Sequence, residues 1–247
     1  MACRDMEKSI NTFNQIREES QNSNIELLEL DLASSKSIRI FVKTLQKKEI
    51  EISTLINNAG ILCNRYEKTL DGFELTIGVN YIGQYLLTRL LLPMISKGSG
   101  RIINTSSIMY RFGRVDTDFF QCKKTKYHGF QAYADSKLAL LLFTLELSEQ
   151  LEHEGITANS ADPGIVDTNM LTMHQWYDPL TDLFLRPFIK KEDQGANTST
   201  YLATDSRLKD VTGKYFVNSR DREIPKWVIQ HPHRKALWQE TESVLQL

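Results

Sequence analysis

Short apolar runs alternate along the chain with longer segments in which apolar residues recur at helical spacing. Short segments that are apolar, or that alternate between apolar and polar residues, predict β-strands at 25–32, 52–56, 101–105, 156–161 and 214–217. Longer periodic segments predict helices at 4–20, 34–48, 72–97, 133–152 and 192–204, with a last helix from about residue 234. Strands separated by helices indicate an α/β fold in which helices cover both faces of a parallel sheet.

Length and composition narrow the class of protein. The 247 residues suit a single domain over 1–247, and 41% apolar with 25% charged residues is typical of globular proteins. The 30 basic residues are balanced by 31 acidic ones, so no nucleic-acid surface is expected. The most apolar stretches, 85–95 and 138–143, are shorter than the roughly 20 residues that span a bilayer, and no membrane segment is predicted. Three scattered cysteines without metal-binding spacing favour a reducing compartment, and we expect the chain as given to be cytoplasmic and to bind no metal.

Four short polar motifs fall where such a sheet would bind a ligand, beyond the carboxyl ends of its strands. They are Asn57-Asn58-Ala59-Gly60, Ser106-Ser107, Tyr133-Ala-Asp-Ser-Lys137, and Pro163-Gly164 with Thr168. Each motif alone is explained as well or better by a turn, a helix cap or a chance spacing. The four in this order are far more specific than any one of them.

The pair of Tyr133 and Lys137 suits the transfer of a proton to or from an alcohol oxygen. Residues four apart lie on one face of a helix, so the hydroxyl and the ammonium can share a site. A free tyrosine has a pKa of about 10, and a nearby ammonium favours the phenolate and lowers that pKa. The spacing therefore predicts that Tyr133 acts as an acid or a base.

Together the motifs resemble those of the short-chain dehydrogenase/reductase family, and within it the retinol dehydrogenase-like branch. The resemblance is carried by Met-Ala-Cys-Arg4-Asp, Leu30-Asp31-Leu32, Asn57-Asn58-Ala59-Gly60, Val79-Asn80-Tyr-Ile-Gly83, Arg101-Ile-Ile-Asn-Thr-Ser-Ser107, Tyr133-Ala-Asp-Ser-Lys137, Pro163-Gly164 and Gly213-Lys-Tyr-Phe216. It implies a Rossmann-like, doubly wound parallel sheet. It also implies NADP(H)-dependent hydride transfer between nicotinamide and a carbonyl or alcohol carbon.

The resemblance further implies which residues are catalytic. Tyr133 would be the acid or base, and Lys137 would lower its pKa and bind the nicotinamide ribose. Ser107, rather than Ser106, would hold the substrate oxygen. Asn80 would support a proton relay through water.

A second set of residues is implied to bind NADP(H). In addition to Tyr133 and Lys137, it comprises Arg4, Asp31, Asn58, Ala59, Gly60, Pro163, Gly164 and Thr168. Asp31 would contact the adenine ring, and Thr168 would reach the carboxamide or the phosphates. Arg4 would meet the 2′-phosphate of NADP, which is a pairing of opposite charges.

The segment 167–190 is expected to cover the substrate as a loop. Its apolar residues suit a small apolar carbonyl or alcohol that is retinoid-, steroid- or lipid-like, and packing of the loop onto the sheet explains them equally well; they are Met170, Leu171, Met173, Trp176, Leu183 and Phe184. The resemblance also implies a homodimer through helices 72–97 and 133–152, whose apolar residues core packing explains as well. Association with the endoplasmic reticulum is implied for a longer form.

One motif of the family is missing from the chain. The family's TGxxxGxG turn cradles the cofactor pyrophosphate at a helix N-terminus, whereas none of the twelve glycines here has that spacing. We therefore expect an N-terminally truncated domain without the first strand, the first helix and most of the second strand. That loss would leave unpaired backbone groups on 52–56 and an exposed helix face. Two readings stay open: a shortened form of an active enzyme, or a non-catalytic form that binds no cofactor and acts as a partner-binding or regulatory protein.

A smaller departure is Asp162, directly before Pro163-Gly164, where this branch often has histidine. An acidic group near the cofactor would weaken phosphate binding, unless the side chain points to solvent. The sequence leaves these two alternatives open.

Overall fold

The structure of the protein, a computed structural model, describes residues 1–121, 124–164 and 192–247. Its strands in these ranges are β1 (Ala2–Cys3), β2 (Leu28–Glu29), β3 (Thr54–Asn57), β4 (Arg101–Thr105), β5 (Thr157–Asp162), β6 (Tyr215–Val217) and β7 (Arg220–Arg222). Its α-helices are α1 (Met6–Ser20), α2 (Ser35–Lys47), α3 (Leu75–Ile77), α4 (Gly83–Leu91), α5 (Gly129–Gln150), α6 (Glu192–Thr204), α7 (Lys226–Ile229) and α8 (Arg234–Leu245). A π-helical turn over Gly78–Ile82 joins α3 to α4.

A five-stranded sheet places the carboxyl ends of its parallel strands along one edge. The strand order is β3-β4-β5-β6-β7, with β3 to β6 parallel and β7 antiparallel to β6. The register aligns Asn57 with Asn104 and Thr105 with Ala161, so the loops after β3, β4 and β5 begin side by side. This confirms the predicted α/β fold with a parallel sheet, and it gives the sheet one edge at which a ligand can bind.

Helices cover both faces of this sheet. Successive side chains of a strand point to opposite faces, and along β4 the fully buried Ile102 belongs to the main core, with α4, α5 and α8. Its neighbour Ile103 belongs to a smaller core with Leu202 of α6 and Phe216 of β6. The sheet is therefore a layer between two apolar cores.

A chain of buried hydrogen bonds fixes α4 and α5 on the sheet. The Asn57 Nδ2 of β3 donates to the Thr88 Oγ1 of α4 (2.8 Å) and to the Asn104 Oδ1 of β4 (2.8 Å). The Asn104 Nδ2 donates in turn to the Thr144 Oγ1 of α5 (2.9 Å). Polar groups paired in this way inside a core fix one arrangement of the elements. The position of α5 matters for function because α5 carries Tyr133.

The C-terminal helix α8 covers α4 and α5 within the same chain. Trp238 stacks on Phe143 with ring centroids 5.6 Å apart and packs edge-on against Tyr85 at 5.1 Å. Arg89 lies over the Trp238 ring at 5.0 Å and pairs with Glu242 at 2.7 Å. The homodimer through these helices stays a prediction, and α8 occupies part of the surface that it would use.

The strands β1 and β2 form a separate parallel pair, and β3 lies at the edge of the larger sheet in the described ranges. The Arg101 N–H of β4 donates to the Ser53 carbonyl, so the backbone groups of Thr54 and Ile56 face away from β4. The Ile56 side chain is 43% exposed, and α1 has no buried residue. The edge of β3 that faces away from β4 is thus exposed, and so are most of the side chains of α1.

Two predicted helices have different bounds in the structure. The helix predicted over 72–97 begins only at Leu75 because the Glu74 carboxylate caps it, accepting from the N–H groups of Thr76 and Ile77. It ends in a 3₁₀ turn that contains Pro93, which cannot continue an α-helix. The helix predicted over 133–152 is α5, which begins four residues earlier. No helix of the described residues combines the length and apolar character needed to cross a membrane.

Candidate active site

Ser107 and Tyr133 meet beyond the carboxyl end of β4. Ser107 precedes the 3₁₀ turn Ile108–Phe112, and its Oγ accepts the N–H of Met109 at 3.3 Å. Tyr133, in the early turns of α5, lies near enough to the Ser107 side chain for the serine to lower the pKa of the phenol. Ser106 is buried instead, with 1% of its surface exposed. The structure therefore places Ser107, and not Ser106, against the tyrosine.

Tyr133 is a protonated phenol at neutral pH in this environment. Burial raises the pKa of Tyr133 above its ordinary value, the hydrogen bond with Ser107 lowers it, and the nearby Asp162 carboxylate raises it. The Lys137 ammonium lies 5.4 Å from the centroid of the Tyr133 ring. Ser107 is a group that favours the phenolate here, and the lowering of the Tyr133 pKa by Lys137, which the resemblance implies, stays a prediction.

Lys137 is a buried cation with donors to spare. Only 2% of its surface is exposed, and its Nζ donates to the Thr105 carbonyl at the end of β4 (2.8 Å). Burial lowers the pKa of Lys137 to about 8, and the Asp162 carboxylate opposes that shift. An ammonium carries three N–H groups, and the described residues provide an acceptor for one of them. Two donors remain for a ligand at this edge.

Asn80 lies in the π-helical turn and is fully buried. Its Nδ2 donates to the Ile61 carbonyl (2.9 Å) and to the Ser136 Oγ (3.0 Å), and its Oδ1 accepts the Ile61 N–H (2.8 Å). The side chain therefore ties the loop after β3 to α5, one residue from Lys137. A role in a proton relay, implied by the resemblance, stays a prediction.

Replacing Asn80 with alanine is expected to lower the free energy of unfolding by about 2 kcal/mol or more. The change removes the partner of the N–H and of the carbonyl of the half-buried Ile61, and a group left unsatisfied away from water costs about 1–3 kcal/mol. Urea unfolding followed by circular dichroism measures the loss. Asn58→Ala is the matched control, because Asn58 is exposed and makes one 3.5 Å contact with Thr105. Equal losses of the free energy of unfolding in the two variants would contradict the role of Asn80 in tying the loop after β3 to α5.

The residues implied to bind the adenine half of the cofactor follow β1, β2 and β3. Arg4 is exposed after β1. Burial raises the pKa of Cys63 and the positive charge of Arg4 lowers it, so Arg4 lies near the loop after β3. Asp31 follows β2, and its Oδ1 accepts the Ala33 N–H at 2.9 Å. After β3, Asn58 and Ala59 are exposed and Gly60 is half-buried.

Pro163 and Gly164 turn the chain beyond the carboxyl end of β5. Gly164 has a φ of +76°, which favours glycine, and its N–H donates to the Asp162 Oδ1 at 2.7 Å. Asp162 has 3% of its surface exposed, so the alternative that this side chain points to solvent is wrong. Thr168 and the predicted substrate loop 167–190 lie outside the described residues.

Sequence reasoning missed two partners in the site. The Thr105 carbonyl positions Lys137, and the Tyr215 hydroxyl of β6 donates to the Asp162 Oδ2. No local pattern marks either group, since each contact depends on which strands are neighbours. Register is the signal that could have found Tyr215, because β6 pairs with the end of β5.

The residues present fit the ribose and nicotinamide half of a dinucleotide. The free donors of the buried Lys137 match ribose hydroxyls. Asn58 is exposed, and the small residues Ala59 and Gly60 that follow it let a flat ring of the cofactor approach the backbone. Arg4 makes no ion pair with the described residues, which leaves it available for a phosphate. No glycine turn of the family's spacing is present for the pyrophosphate.

The α/β fold places Ser107, Tyr133 and Lys137 at one edge of the parallel sheet, and comparison with known proteins assigns the chain to a family of oxidoreductases. The chain belongs to the short-chain dehydrogenase family, whose model matches residues 1–177. It is similar to human retinol dehydrogenase 13, with 38% identity over 254 residues that cover 100% of this chain and 76% of that protein. Mouse retinol dehydrogenase 12 is 39% identical over 239 residues, which cover 96% of this chain and 75% of the relative.

Solved structures are similar over most of the chain. An uncharacterized protein from Mycobacterium paratuberculosis superposes with a TM-score of 0.75 at 28% identity, covering 100% of this chain and 83% of that one. A blue fluorescent protein from a metagenomic library, solved in complex with NADPH, superposes with a TM-score of 0.66 at 25% identity. The match covers 87% of this chain and 84% of that protein. The retinol dehydrogenase-like resemblance is thereby confirmed at the level of the family.

Proposed function

We propose that the chain is an NADP(H)-dependent oxidoreductase that interconverts the carbonyl and alcohol forms of a small apolar substrate. The observation that carries the proposal is that Ser107 and Tyr133 lie together beyond β4, with the buried Lys137 ammonium 5.4 Å from the centroid of the Tyr133 ring. When bound, the nicotinamide supplies or accepts the hydride. The protein's part is then to hold the substrate oxygen and to move one proton.

Tyr133 is the proton donor in this proposal. Its pKa is raised, mainly by burial, so the phenol is protonated at neutral pH and can donate to a carbonyl oxygen. Ser107 holds that oxygen, because its hydroxyl already lies within hydrogen-bonding reach of the Tyr133 side chain.

Lys137 would hold the nicotinamide ribose with the two N–H groups that the Thr105 carbonyl leaves free. With a pKa of about 8, its amine is mostly protonated at neutral pH. Asn58, Ala59, Gly60, Pro163 and Gly164 would line the groove, with Thr168 beyond them, and Asp31 would contact the adenine. Proton relay through Asn80 is part of the proposal.

The substrate is proposed to be retinoid-like, with a steroid or another lipid-like carbonyl as close variants. Ile108 follows Ser107 directly, and Phe130 lies one helical turn before Tyr133; both are exposed, as is Phe112. Similar curated proteins are named retinol dehydrogenases 11, 12, 13 and 14. The loop 167–190 would cover the substrate. It would belong to a single domain over 1–247. A homodimer and a cytoplasmic location belong to the same proposal.

The direct test is consumption of NADPH by the purified 247-residue chain in the presence of retinal. A steroid ketone and a fatty aldehyde serve as alternative substrates, and a charged keto acid serves as the negative control. The proposal expects turnover with at least one apolar carbonyl and none with the keto acid. Turnover only with the charged compound would refute the assignment of the substrate.

Arg4→Ala is expected to weaken NADPH binding by about tenfold or more and to leave NADH binding unchanged. A charge-assisted hydrogen bond contributes about 1.5–3 kcal/mol, and the 2′-phosphate is the group that distinguishes the two cofactors. Arg17→Ala is the matched control, since Arg17 is an exposed arginine in the last turn of α1. Fluorescence titration with both cofactors measures the ratio. Equal weakening for NADPH and NADH would show that Arg4 does not read the phosphate.

A further inference from the structure

Asp162 ends β5 as a buried carboxylate whose two oxygens both accept hydrogen bonds. Its Oδ1 accepts the Gly164 N–H at 2.7 Å, and its Oδ2 accepts the Tyr215 hydroxyl of β6. Only 3% of the residue is exposed. A buried carboxylate is costly unless it is hydrogen-bonded and faces a positive charge. The two hydrogen bonds meet the need for hydrogen bonding. Whether a positive charge faces the carboxylate depends on the surrounding groups.

The groups that face Asp162 come from each element packed against the end of β5. They are Lys137 and Tyr133 of α5, Tyr215 of β6, and Tyr110 with the nearby Arg111 in the 3₁₀ turn after β4. Arg111 is exposed, whereas Lys137 is buried to the same extent as Asp162. The Lys137 Nζ donates to the carbonyl of Thr105, which pairs with Ala161, the residue before Asp162, so the ammonium lies close to the end of β5. Lys137 is therefore the cation that balances this carboxylate in the described part of the interior.

We propose that Asp162 is a positioning residue of the active site: it supplies the buried negative charge opposite the Lys137 ammonium and holds the Pro163–Gly164 turn through the Gly164 N–H. The proposal rests on the proposed function, since it concerns the same site. One carboxylate thereby links the turn after β5 to the lysine that would hold the nicotinamide ribose. Neither hydrogen bond to Asp162 comes from Lys137, so the link between the two charges is electrostatic.

With a neutral residue at position 162, the Lys137 ammonium would lose its proton at a lower pH. Burial already lowers the pKa of Lys137 to about 8, and Asp162 is the group that opposes this shift. Without the carboxylate, more of the amine would be neutral at physiological pH. A neutral amine donates weaker hydrogen bonds to the Thr105 carbonyl and to any ribose hydroxyl.

The pH dependence of stability reports this coupling without any cofactor. Lys137 has a lower pKa in the folded chain than in the unfolded one, so the unfolded state binds more protons between those two pKa values. Stability therefore rises with pH from about pH 8 upward as the buried amine loses its proton. A further lowering of the folded pKa must move the onset of the rise to lower pH.

The experiment compares the wild-type chain with Asp162→Asn, Lys137→Met and the double variant by urea unfolding between about pH 6.5 and 9.5. Asparagine keeps the shape of the side chain and an acceptor for the Gly164 N–H, and it removes the charge. We expect the onset in Asp162→Asn to lie about one pH unit below that of the wild type. Lys137→Met should lack the rise, and the double variant should lose less than the sum of the single losses.

An onset in Asp162→Asn at the wild-type pH would overturn the proposal, as would additive losses in the double variant. If Asp162→Asn alone does not fold, the double variant decides: we expect it to fold, because the uncompensated ammonium is gone. A double variant that is also unfolded would reduce Asp162 to a purely structural role. Since no cofactor is added, these outcomes are separate from any failure of the chain to bind NADPH.

Discussion

Replacing Tyr133 with phenylalanine is expected to lower the rate of carbonyl reduction by about 10²–10⁴-fold, the usual contribution of a positioned general acid. The change removes the hydroxyl and keeps the ring, so the packing of α5 and the contact of the ring face with Lys137 stay in place. Cofactor affinity should change by less than about twofold, since the loss falls on the proton transfer. Steady-state rates and a parallel titration with NADPH measure the two quantities.

Tyr201→Phe is the matched control for this experiment. Tyr201 lies on α6 and packs on Phe216 of β6, in the smaller core and away from the Ser107 hydroxyl. Its replacement should leave the rate near that of the wild type. If Tyr133→Phe kept more than about a tenth of the wild-type rate, another group would have to be the acid, because removal of a true general acid costs more.

Trp238→Ala is expected to cost about 3–5 kcal/mol of the free energy of unfolding, the range found when a large aromatic side chain is removed from a core. Trp238 is 7% exposed and contacts Phe143, Tyr85 and the guanidinium of Arg89. A domain is stable by only about 5–15 kcal/mol, so the loss brings the chain close to unfolding. The site loses order with it, because α8 packs on the helix that carries Tyr133.

Trp227→Ala tests whether burial is the cause. Trp227 is 45% exposed on α7, and its replacement should cost less than about 1 kcal/mol. Far-UV circular dichroism is the suitable signal, because both changes remove a fluorophore. Equal losses for the two tryptophans would contradict the role of α8 as the cover of α4 and α5.

The sequence predicts the interior of this fold better than its edges. The bounds of β4 match the prediction, in which the two isoleucines of Arg101–Thr105 mark a short strand, and α6 ends at Thr204 as predicted. The strand β7 was missed because all three of its residues are exposed, and two are arginine. Its turn places Asn218 and Ser219 at positive φ, and an Asn-Ser pair is a weaker hairpin signal than Asn-Gly.

The candidate site was predictable wherever spacing on one element decides the contact. Tyr133 and Lys137 share a helix face by periodicity alone, and β4 ends just before Ser107. The environment of Asp162 was not predictable, because it depends on the pairing of β5 with β6 and on the side to which the chain end turns. The direction of the pKa of Tyr133 also required the structure, since burial outweighs the favourable hydrogen bond with Ser107.

Calorimetric titration of the purified, folded 247-residue chain with NADPH tests the central claim most directly. The account predicts binding with a micromolar dissociation constant, weaker binding of NADH, and loss of affinity in Lys137→Met, whose free donors would hold the ribose. Circular dichroism of the same samples establishes that each is folded. A folded wild-type chain that binds neither cofactor would contradict the oxidoreductase proposal for this polypeptide and favour the non-catalytic, partner-binding alternative.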